Sequence, residues 1–397
     1  MFESVKVVLV IISIFILIQA WKNISNKYLL FVIGALWLRY TLSAFHEDTY
    51  EPIIAGFSIN ALSSIFVVAL GLLIIPKISF LLRHYFVFYC FFAIIVVSGL
   101  INAEYKGLVN VLVKWGYFFV LSAALFAALR TLPTKQVFKG LLVPFFLPVS
   151  LQILSIVLGE ARAAESDGSA SYIGGYHHEA AFSMIIVACI LVLSWLERKT
   201  IKLHSFIFFG MVFLLILVNY RTSILAVLPV VFIFVITMLT ERFESKYRPI
   251  ILGLAAFPII IVGLFISSTL AERFSDIFLV LNSFDSLIKT PNYFTDAEQD
   301  IFSARVYLWS QYLTAFLQSD LLHKIFGFGP ESWSEVMPKH AHNTFVSYIY
   351  EYGYIRITAF LIINIYLLKQ ALNNQSKILG RKLFYSIFGL MIMSLST

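Results

Sequence analysis

The sequence predicts an all-α polytopic integral membrane protein. Of its 397 residues, 60% are hydrophobic and only 13% are charged, and the mean hydropathy is +0.88. Ordinary soluble domains have about 25% charged residues. Apolar runs long enough to cross a bilayer recur along most of the chain, and they are too long for barrel strands. Because backbone polar groups in lipid must be satisfied within their own segment, these runs indicate helices.

We predict about 12 membrane-spanning helices, with boundaries placed where each apolar run ends. They cover residues 5–20, 28–44, 57–75, 79–100, 108–129, 137–158, 177–195, 204–220, 221–240, 249–267, 344–368 and 383–397. The chain thereby divides into residues 1–267 with the first ten spans, a large loop at 268–343, and residues 344–397 with the last two spans.

The basic residues predict the orientation of the spans. Six alternate loops are rich in Lys and Arg, which marks them as cytoplasmic; their basic residues are Lys22, Lys27, Lys77, Arg83, Arg130, Lys135, Lys139, Arg198, Lys199, Lys202, Arg242, Lys246, Arg248, Lys369, Lys377, Arg381 and Lys382. The loops between them are poor in basic residues, and the long 268–343 loop is on this outer side. The same alternation predicts both termini outside.

Several functional classes are disfavoured by these patterns. The net charge of +7 reflects membrane orientation, and no basic patch interleaved with aromatic residues predicts nucleic-acid binding. Cys90 and Cys189 lie within apolar spans and predict no redox motif. The sequence shows no internal repeat of the kind that many secondary transporters carry.

The long outer loop carries helix patterns of its own. Apolar residues recur at helical spacing in two stretches, Leu270, Phe274, Ile277, Phe278 and Leu281 and then Val306, Trp309, Leu313 and Phe316. The run Gly327-Phe328-Gly329-Pro330 predicts a tight turn after them. A loop of this length with its own helices indicates function.

Four cations predict an anion site near the outer face. Arg39 and Lys114 lie in the outer halves of apolar spans, Arg221 begins a span at its outer end, and Arg305 begins the second loop helix. A charge in lipid needs compensation, and guanidinium groups match phosphate oxygens in a bidentate fork. We therefore interpret the four as binding a lipid-linked phosphate or pyrophosphate.

A second interpretation remains open for two of these cations. Arg39 and Lys114 can extend to the lipid headgroups or pair with Glu47 or Glu104.

Two histidines begin the next span. His342 and His340 stand in the segment Lys339-His340-Ala341-His342-Asn343, where the loop meets an apolar run. If the helix begins near Asn343, the positive end of its dipole disfavours a charged imidazole at His342. A neutral imidazole is a general base suited to a sugar hydroxyl. His342 is the better candidate for the base, and His340 is a candidate for orienting the acceptor or binding phosphate.

Other polar residues are candidates for an acceptor site. His178 and Glu179 open the seventh span, where they either line that site or cap the helix, and Glu351 lies deeper in the span after the histidines, where it supports a polar network. The pair His340 and His342 also suggests a metal site, but further ligands at zinc-like spacing are missing from the sequence. We therefore expect no metal and no cofactor.

The outer-loop motifs resemble the signature of the O-antigen ligase and polymerase superfamily. The resemblance covers about residues 300–356 and rests on Ser303-Ala304-Arg305, Trp309, Gly327-Phe328-Gly329-Pro330, His340-Ala341-His342-Asn343 and Glu351-Tyr352-Gly353, with a supporting match at Arg221. Members often have three spans after the large loop, whereas two are predicted here.

The resemblance implies a bacterial inner-membrane glycosyltransferase of the GT-C type that acts on the periplasmic side. It implies that Arg221 and Arg305 hold the pyrophosphate of an undecaprenyl-pyrophosphate-linked oligosaccharide, and that the His340 and His342 pair carries the catalytic histidine. It also implies metal-independent transfer with inversion.

Residues 327–333 and 342–353 resemble the motifs of an O-antigen polymerase more than those of a ligase. A polymerase extends a lipid-linked repeat unit and acts with a chain-length regulator protein. The alternative is an O-antigen ligase, which transfers the glycan to the lipid A core. A flippase or other transporter of lipid-linked oligosaccharides is a third hypothesis, in which the cations line a translocation path.

Overall fold

The structure is a computed structural model that describes residues 1–54, 56–163, 170–242, 244, 246–247, 289–299, 304–374 and 378–395. It contains two compact units. The first unit comprises Met1–Ala93 and Tyr105–Val227, and the second comprises Ile94–Glu104 and Leu228–Thr397.

Helices dominate the described residues of the first half of the chain. They are α1 (Phe2–Asn23), α2 (Lys27–Ala44), α3 (His46–Thr49), α4 (Ile59–Ile74), α5 (Phe86–Ile101), α6 (Tyr105–Thr131), α7 (Thr134–Leu141), α8 (Phe146–Leu158), α9 (Glu179–Trp195), α10 (His204–Val218) and α11 (Arg221–Arg242). Short 3-10 turns cover Lys77–Ser79, Arg83–Tyr85, Val143–Phe145 and Arg198–Thr200. Two small antiparallel pairs join β1 (Pro52–Ile54) to β2 (Phe57–Ser58) and β3 (Arg162–Ala163) to β4 (Ala170–Ser171).

The described remainder is also helical. It contains a 3-10 turn at Pro291–Tyr293, then α12 (Asp296–Gln299), α13 (Arg305–Gln318), α14 (Leu321–Phe326), α15 (Trp333–Val336), α16 (Thr344–Asn373) and α17 (Ile378–Met393).

The predicted spans correspond to helices wherever the structure describes them. The predicted span 249–267 lies outside the described residues, and each of the other eleven contains a helix. Five helical segments are long and apolar enough to cross a membrane: Phe2–Asn23, Tyr105–Thr131, Thr134–Leu158, Arg221–Glu241 and Thr344–Asn373. Shorter apolar helices cover Ile59–Ile74, Phe86–Ile101, Glu179–Trp195 and His204–Val218. The protein is an all-α polytopic membrane protein, as predicted.

Two span boundaries were predicted wrongly. The span predicted at 79–100 begins its helix only at Phe86, because 3-10 turns on either side of residue 81 carry the chain past the exposed Arg83 first. The last span was predicted to begin at residue 383, whereas α17 begins at Ile378 and buries Lys382. The first prediction included Arg83 in the span, and the second excluded Lys382 from it.

Small residues on α6 allow the helices of the first unit to pack closely. Ala123, Ala124 and Ala128 are fully buried, and a Cβ atom at Gly71 of α4 would lie 2.7 Å from the Cβ atom of Val120. Close approach at small residues is the usual way that helices associate in lipid, where apolar burial gives no preference for protein over lipid tails. This interface fixes α4 against α6.

The helix α13 confirms one of the two predicted loop helices. Its buried stripe consists of Leu308, Tyr312 and Phe316, whereas Leu313 is exposed. Only Phe316 of the predicted apolar stripe belongs to the observed buried stripe. Trp309, which was predicted to pack in the stripe, uses its indole N–H for a polar contact described below. The other predicted loop helix, at residues 270–281, lies outside the described residues.

Candidate active site

Helix α16 is broken at Gly353, nine residues after the helix begins at Thr344. Gly353 has φ 68° and ψ −166°, which is open to glycine and strongly disfavours other residues. A break of this kind leaves the carbonyls of the preceding turn without their helical donors. The backbone N–H of Phe328 donates to the Tyr350 carbonyl at 3.0 Å, and that of Gly329 donates to the Glu351 carbonyl at 2.8 Å. The glycine turn therefore completes the broken helix.

The turn at Gly327 is held from the opposite side by α5. The hydroxyl of Ser98 donates to the carbonyl of Phe326 at 2.7 Å and to that of Glu351 at 3.1 Å. The amide of Asn102, one turn later, donates to the Gly327 carbonyl at 3.0 Å. The sequence reasoning missed Ser98 and Asn102, which are ordinary polar residues at the end of an apolar run.

Glu351 is part of this framework. Its side chain is buried and forms hydrogen bonds with the backbone of Glu331 and the side chain of Tyr352. The guanidinium carbon of the buried Arg356 lies 4.0 Å from the ring centroid of Tyr348 and 3.7 Å from that of Tyr352. Glu351 therefore supports the turn and the first segment of α16, as the sequence suggested.

Helix α13 fixes the histidine segment through its backbone. The Tyr312 hydroxyl donates to the Lys339 carbonyl at 2.8 Å, and the Trp309 indole donates to the Ala341 carbonyl at 2.7 Å. Ala341 is fully buried between these contacts. Two carbonyls on alternate residues are thus anchored, and the conformation of the intervening His340 is constrained.

His340 positions its neighbour. Its Nδ1 atom accepts the backbone N–H of His342 at 3.1 Å, and its Nε2 atom lies 3.3 Å from the hydroxyl of Ser347. An accepting Nδ1 places the ring proton of a neutral His340 on Nε2. The edge of the indole of Trp333 packs against the ring, with centroids 5.2 Å apart. His340 therefore stabilises the backbone conformation of the histidine segment.

His342 lies immediately before α16. Its backbone is left-handed, with φ 48°, and the next residue, Asn343, caps the helix by accepting the N–H groups of Phe345 and Val346. A non-glycine residue in this region costs about 1–3 kcal/mol and is found preferentially at functional sites. The half-buried His342 ring lies 5.5 Å from that of His340. The predicted position at a helix N-terminus is confirmed.

Arg305 lies close to this segment along α13. It is the first residue of the helix and lies one turn before Trp309, on the same face. Residues four apart on a helix have Cβ atoms about 5–6 Å apart. Because Trp309 contacts the carbonyl between the two histidines, Arg305 lies within about one side-chain length of the histidine segment.

Glu104 adds a carboxyl group beside the glycine turn. A Cβ atom at Gly329 would lie 2.6 Å from the Cγ atom of Glu104, so the glycine permits the contact. Burial and then the nearby Glu335 carboxylate raise the pKa of Glu104. Arg305, both histidines, Glu104 and Glu351 thus all belong to the second unit.

Arg221 belongs to the first unit, where the preceding turn is tied to the segment between α8 and α9. The backbone N–H of Tyr172 donates to the Leu217 carbonyl at 3.0 Å, and the hydroxyl of Ser171 donates to the Val218 carbonyl at 2.6 Å. Asn219 then adopts a left-handed conformation, with φ 62°, that ends α10. Arg221 follows as the first residue of α11.

The start of α11 contacts the start of α9. The hydroxyls of Ser183 and Ser223 are 2.7 Å apart, which places the first turns of the two helices together. Arg221 therefore lies at the same end of the unit as His178 and Glu179. The Nδ1 atom of His178 accepts the N–H of Ala180 at 3.0 Å, so the alternative role of His178 as a helix cap is confirmed.

Arg39 has different partners from those considered in the sequence. Its guanidinium donates to the side-chain oxygen of Asn60 at 2.6 Å and to the hydroxyl of Ser64 at 3.3 Å. The sequence suggested that Arg39 pairs with Glu47 or Glu104, and this was wrong. Asn60 and Ser64, which lie one turn apart on α4, bind the guanidinium group instead. Arg39 is thus engaged in joining two helices.

Lys114 lies at about the same level of the first unit as Arg39. The hydroxyl of Tyr117, one turn along α6, donates to the Ala35 carbonyl at 2.9 Å, one turn before Arg39 on α2. Because α2 and α6 run in opposite directions, both cations lie on the same side of this contact. Lys114 is exposed.

The described residues contain no group of three or more His, Cys, Asp or Glu side chains arranged to hold a metal ion.

Comparison with known protein families gives one match over this region. Residues 206–361 match the family model described as O-antigen ligase. No curated protein matches the chain. The matched range includes Arg221, Arg305, His340, His342 and Glu351. The match supports the resemblance to the O-antigen ligase and polymerase superfamily. It also supports an enzymatic role in polysaccharide synthesis at a membrane. The match is equally consistent with a ligase and with a polymerase.

Proposed function

We propose that the protein is an O-antigen polymerase. It transfers the growing glycan from undecaprenyl pyrophosphate to the sugar end of a lipid-linked repeat unit at the periplasmic face of the bacterial inner membrane. The supporting observation is the ordered histidine segment, in which His340 holds the backbone of His342 at a helix N-terminus. The match to the O-antigen ligase family over residues 206–361 supports the same chemistry.

His342 acts as the general base in this proposal. Its neutral imidazole takes the proton of an acceptor hydroxyl that lies within about 2.6–3.2 Å. The freed oxygen attacks the anomeric carbon of the donor glycan as the bond from that carbon to the pyrophosphate oxygen breaks. The new glycosidic bond has the inverted configuration, the proton remains on His342, and undecaprenyl pyrophosphate leaves with the bonding electrons.

Arg221 and Arg305 stabilise the pyrophosphate in this proposal. Their planar guanidinium groups donate paired hydrogen bonds to phosphate oxygens and stay charged at every physiological pH. Lys114 adds positive potential at the outer side of the first unit. Arg39 is the weakest member of the set, because its guanidinium already binds Asn60 and Ser64. The reaction requires no metal ion and no cofactor.

Acceptor binding involves the first unit in this proposal. His178 and Glu179 stand at the helix start that touches the first turn of α11, close to the start at Arg221. Glu351 contributes to the acceptor site through the glycine turn that it supports. A chain-length regulator protein is the expected protein partner of a polymerase.

An O-antigen ligase is the second candidate, because the matching family model carries that description. A ligase would use the same donor and the same base but would transfer the glycan to the lipid A core. The acceptor is the difference between the two, and it can be measured directly.

Deletion of the gene followed by electrophoresis of the surface polysaccharide tests the proposal. A polymerase defect leaves lipid A core bearing a single repeat unit, which is the expected result. Core without any repeat unit, with lipid-linked polymer accumulating at the outer face, would establish the ligase. An unchanged ladder would refute both, and core without repeat units together with lipid-linked units accumulating on the cytoplasmic side would indicate transport.

A further inference from the structure

A cavity of about 840 Å³ opens at one end of the first unit. Its lining comes from the first turn of α1, from residues 44–52 after α2, and from residues 160–162 and 173–177 after α8. Cavities of about 300–1,000 Å³ are typical of sites for small organic ligands. The predicted orientation places all three segments on the outer side of the membrane.

The residues at the base of the cavity are buried, and the one cation among them has its partners within the protein. Ile173 and Tyr176 are each 3% exposed and Lys6 is 5% exposed. The Lys6 amine lies 3.3 Å from the Glu3 carboxylate and 4.4 Å from the centroid of the Phe45 ring. The buried cation is thus compensated within the protein, so a bound anion is not required to explain it.

Three rings form one wall. The ring of His177 lies 5.0 Å from that of His46 and 6.0 Å from that of Tyr50, measured between centroids. Arg162 donates to the His177 carbonyl and so fixes this residue in the wall. Burial, followed by the nearby His177, lowers the pKa of His46 and keeps its imidazole neutral at pH 7.

One polar atom of this wall is left for a ligand. The Nδ1 atom of His46 is buried and has no hydrogen-bond partner among the described residues. A buried polar atom without a partner costs about 1–3 kcal/mol. A hydroxyl group in the cavity would remove that cost, since a neutral imidazole nitrogen donates to or accepts from a hydroxyl equally well.

The rim is acidic. The lining contains five acidic residues against two Lys or Arg residues, an excess of three acidic groups; the residues are Glu3, Glu47, Asp48, Glu51, Glu160, Lys6 and Arg162. Carboxylates accept hydrogen bonds from hydroxyl or ammonium groups and repel anions. The rim therefore disfavours phosphate groups and acidic sugars.

We propose that this cavity binds a sugar residue of the glycan substrate, and that it takes a neutral sugar or an amino sugar. The rings of Tyr50, His46 and His177 cover the apolar face of the sugar, and the carboxylates and imidazoles bind its hydroxyl groups. The identification of the ligand as substrate glycan rests on the proposed function. The cavity itself lies wholly in the first unit and contains neither His340 nor His342.

Binding without transfer tests the cavity. The full-length protein in nanodiscs is titrated calorimetrically with the repeat-unit oligosaccharide that mild acid releases from the pyrophosphate-linked lipid intermediate of the host strain, and separately with tetragalacturonic acid. Tyr50→Ala and Glu160→Gln are each expected to weaken binding of the repeat-unit oligosaccharide at least tenfold. Both residues are exposed, so the variants are expected to fold.

Matched controls lie in the same unit outside the cavity. Tyr105→Ala and Glu197→Gln replace exposed residues and are expected to retain wild-type affinity. The absence of oligosaccharide binding to the wild-type protein would overturn the proposal. So would unchanged affinity in both cavity variants, or binding of tetragalacturonic acid as tight as that of the repeat-unit oligosaccharide.

The same variants separate this inference from the proposed function. His342→Ala is expected to abolish transfer and to leave oligosaccharide affinity unchanged. Oligosaccharide binding by a protein whose deletion leaves the polysaccharide ladder intact would refute the polymerase and retain the cavity. A deletion that collapses the ladder, with cavity variants that bind normally, would retain the polymerase and refute the cavity.

Discussion

Gly327 packs against the backbone just before Gly353, and Gly353 packs against the backbone just before Gly327, so a side chain at either position would overlap the facing backbone. A Cβ atom on Gly327 would lie 2.1 Å from the Tyr352 nitrogen, and one on Gly353 would lie 2.4 Å from the Ile325 carbonyl oxygen. Both residues have left-handed φ values, of 72° and 68°. The contact between the glycine turn and the break in α16 therefore depends on two glycines that are 26 positions apart in the chain.

We expect Gly353→Ala to lower stability and abolish transfer. Alanine at this φ and ψ, a region occupied almost only by glycine, costs about 1–3 kcal/mol, and the overlap with the Ile325 carbonyl adds to that cost. Thermal unfolding in detergent and a glycan transfer assay measure the two effects. The matched control is Gly210→Ala, because a Cβ atom there meets no atom within 4 Å and alanine favours the helix by about 1 kcal/mol. Equal melting temperatures for Gly353→Ala and the wild type would contradict the steric explanation.

We expect His342→Ala to abolish glycan transfer and His340→Ala only to reduce it. A general base contributes about 10²–10⁴ in rate, whereas His340 acts by holding the His342 backbone and by its contact with Ser347. The measurements are chain elongation by complementation and the initial rate of transfer in membranes. His340→Ala should retain measurable transfer, whereas His342→Ala should retain none above the background of membranes that lack the protein. Chain elongation by His342→Ala would eliminate it as the base.

We expect Arg221→Lys to impair use of the donor. A lysine keeps the charge but cannot form the paired hydrogen bonds of a guanidinium group with phosphate oxygens. We predict at least a tenfold loss in kcat/KM for the lipid-linked donor, measured in proteoliposomes. Arg198→Lys, in a 3-10 turn at a predicted cytoplasmic loop, is the matched control and should retain activity. Wild-type kinetics for Arg221→Lys would argue against a pyrophosphate contact.

We expect Trp309→Phe to reduce turnover more than substrate affinity. The substitution keeps an aromatic ring but removes the 2.7 Å hydrogen bond to the Ala341 carbonyl. A lost hydrogen bond of this kind costs about 0.5–1.5 kcal/mol, and here it also releases the segment between the histidines. Steady-state kinetics should show a lower kcat with little change in KM. Trp21→Phe, at an exposed position of α1, is the control, and a selective rise in KM for Trp309→Phe would indicate a binding role instead.

The sequence predicted the membrane helices because bilayer thickness imposes one requirement on every span. It also predicted His342 at the start of a helix, since Asn343 is a strong capping residue before an apolar run. It did not predict the break at Gly353, because a glycine within a helical pattern is tolerated and the partner turn lies 26 residues earlier. The contacts of Ser98 and Asn102 were missed for the same reason, since their acceptors are backbone carbonyls more than 220 positions away.

The partners of Arg39 show a further limit. Charge alone suggested Glu47 or Glu104, and the structure gives it Asn60 and Ser64 instead. Neutral side chains compensate a cation well when they are already in place on a neighbouring helix. Their positions depend on the packing of α2 against α4, which the sequence pattern does not specify.

We expect Glu104→Gln to stabilise the protein at neutral pH and to have little effect at pH 4. Burial, and then repulsion from Glu335, raise the pKa of Glu104 in the folded protein above its ordinary value of 4.5. A carboxyl group whose pKa is raised by folding favours the folded state most below its unfolded pKa, and that contribution is lost as the pH rises through the folded pKa. Glutamine carries no charge at any pH, so the gain in melting temperature should grow from about pH 4.5 upwards. Thermal unfolding in detergent at pH 4 and pH 7 measures it, with Glu197→Gln as the exposed control. A gain of equal size at both pH values would show that the charge of Glu104 is not the cause, and a loss at pH 7 would show that the carboxylate stabilises the glycine turn.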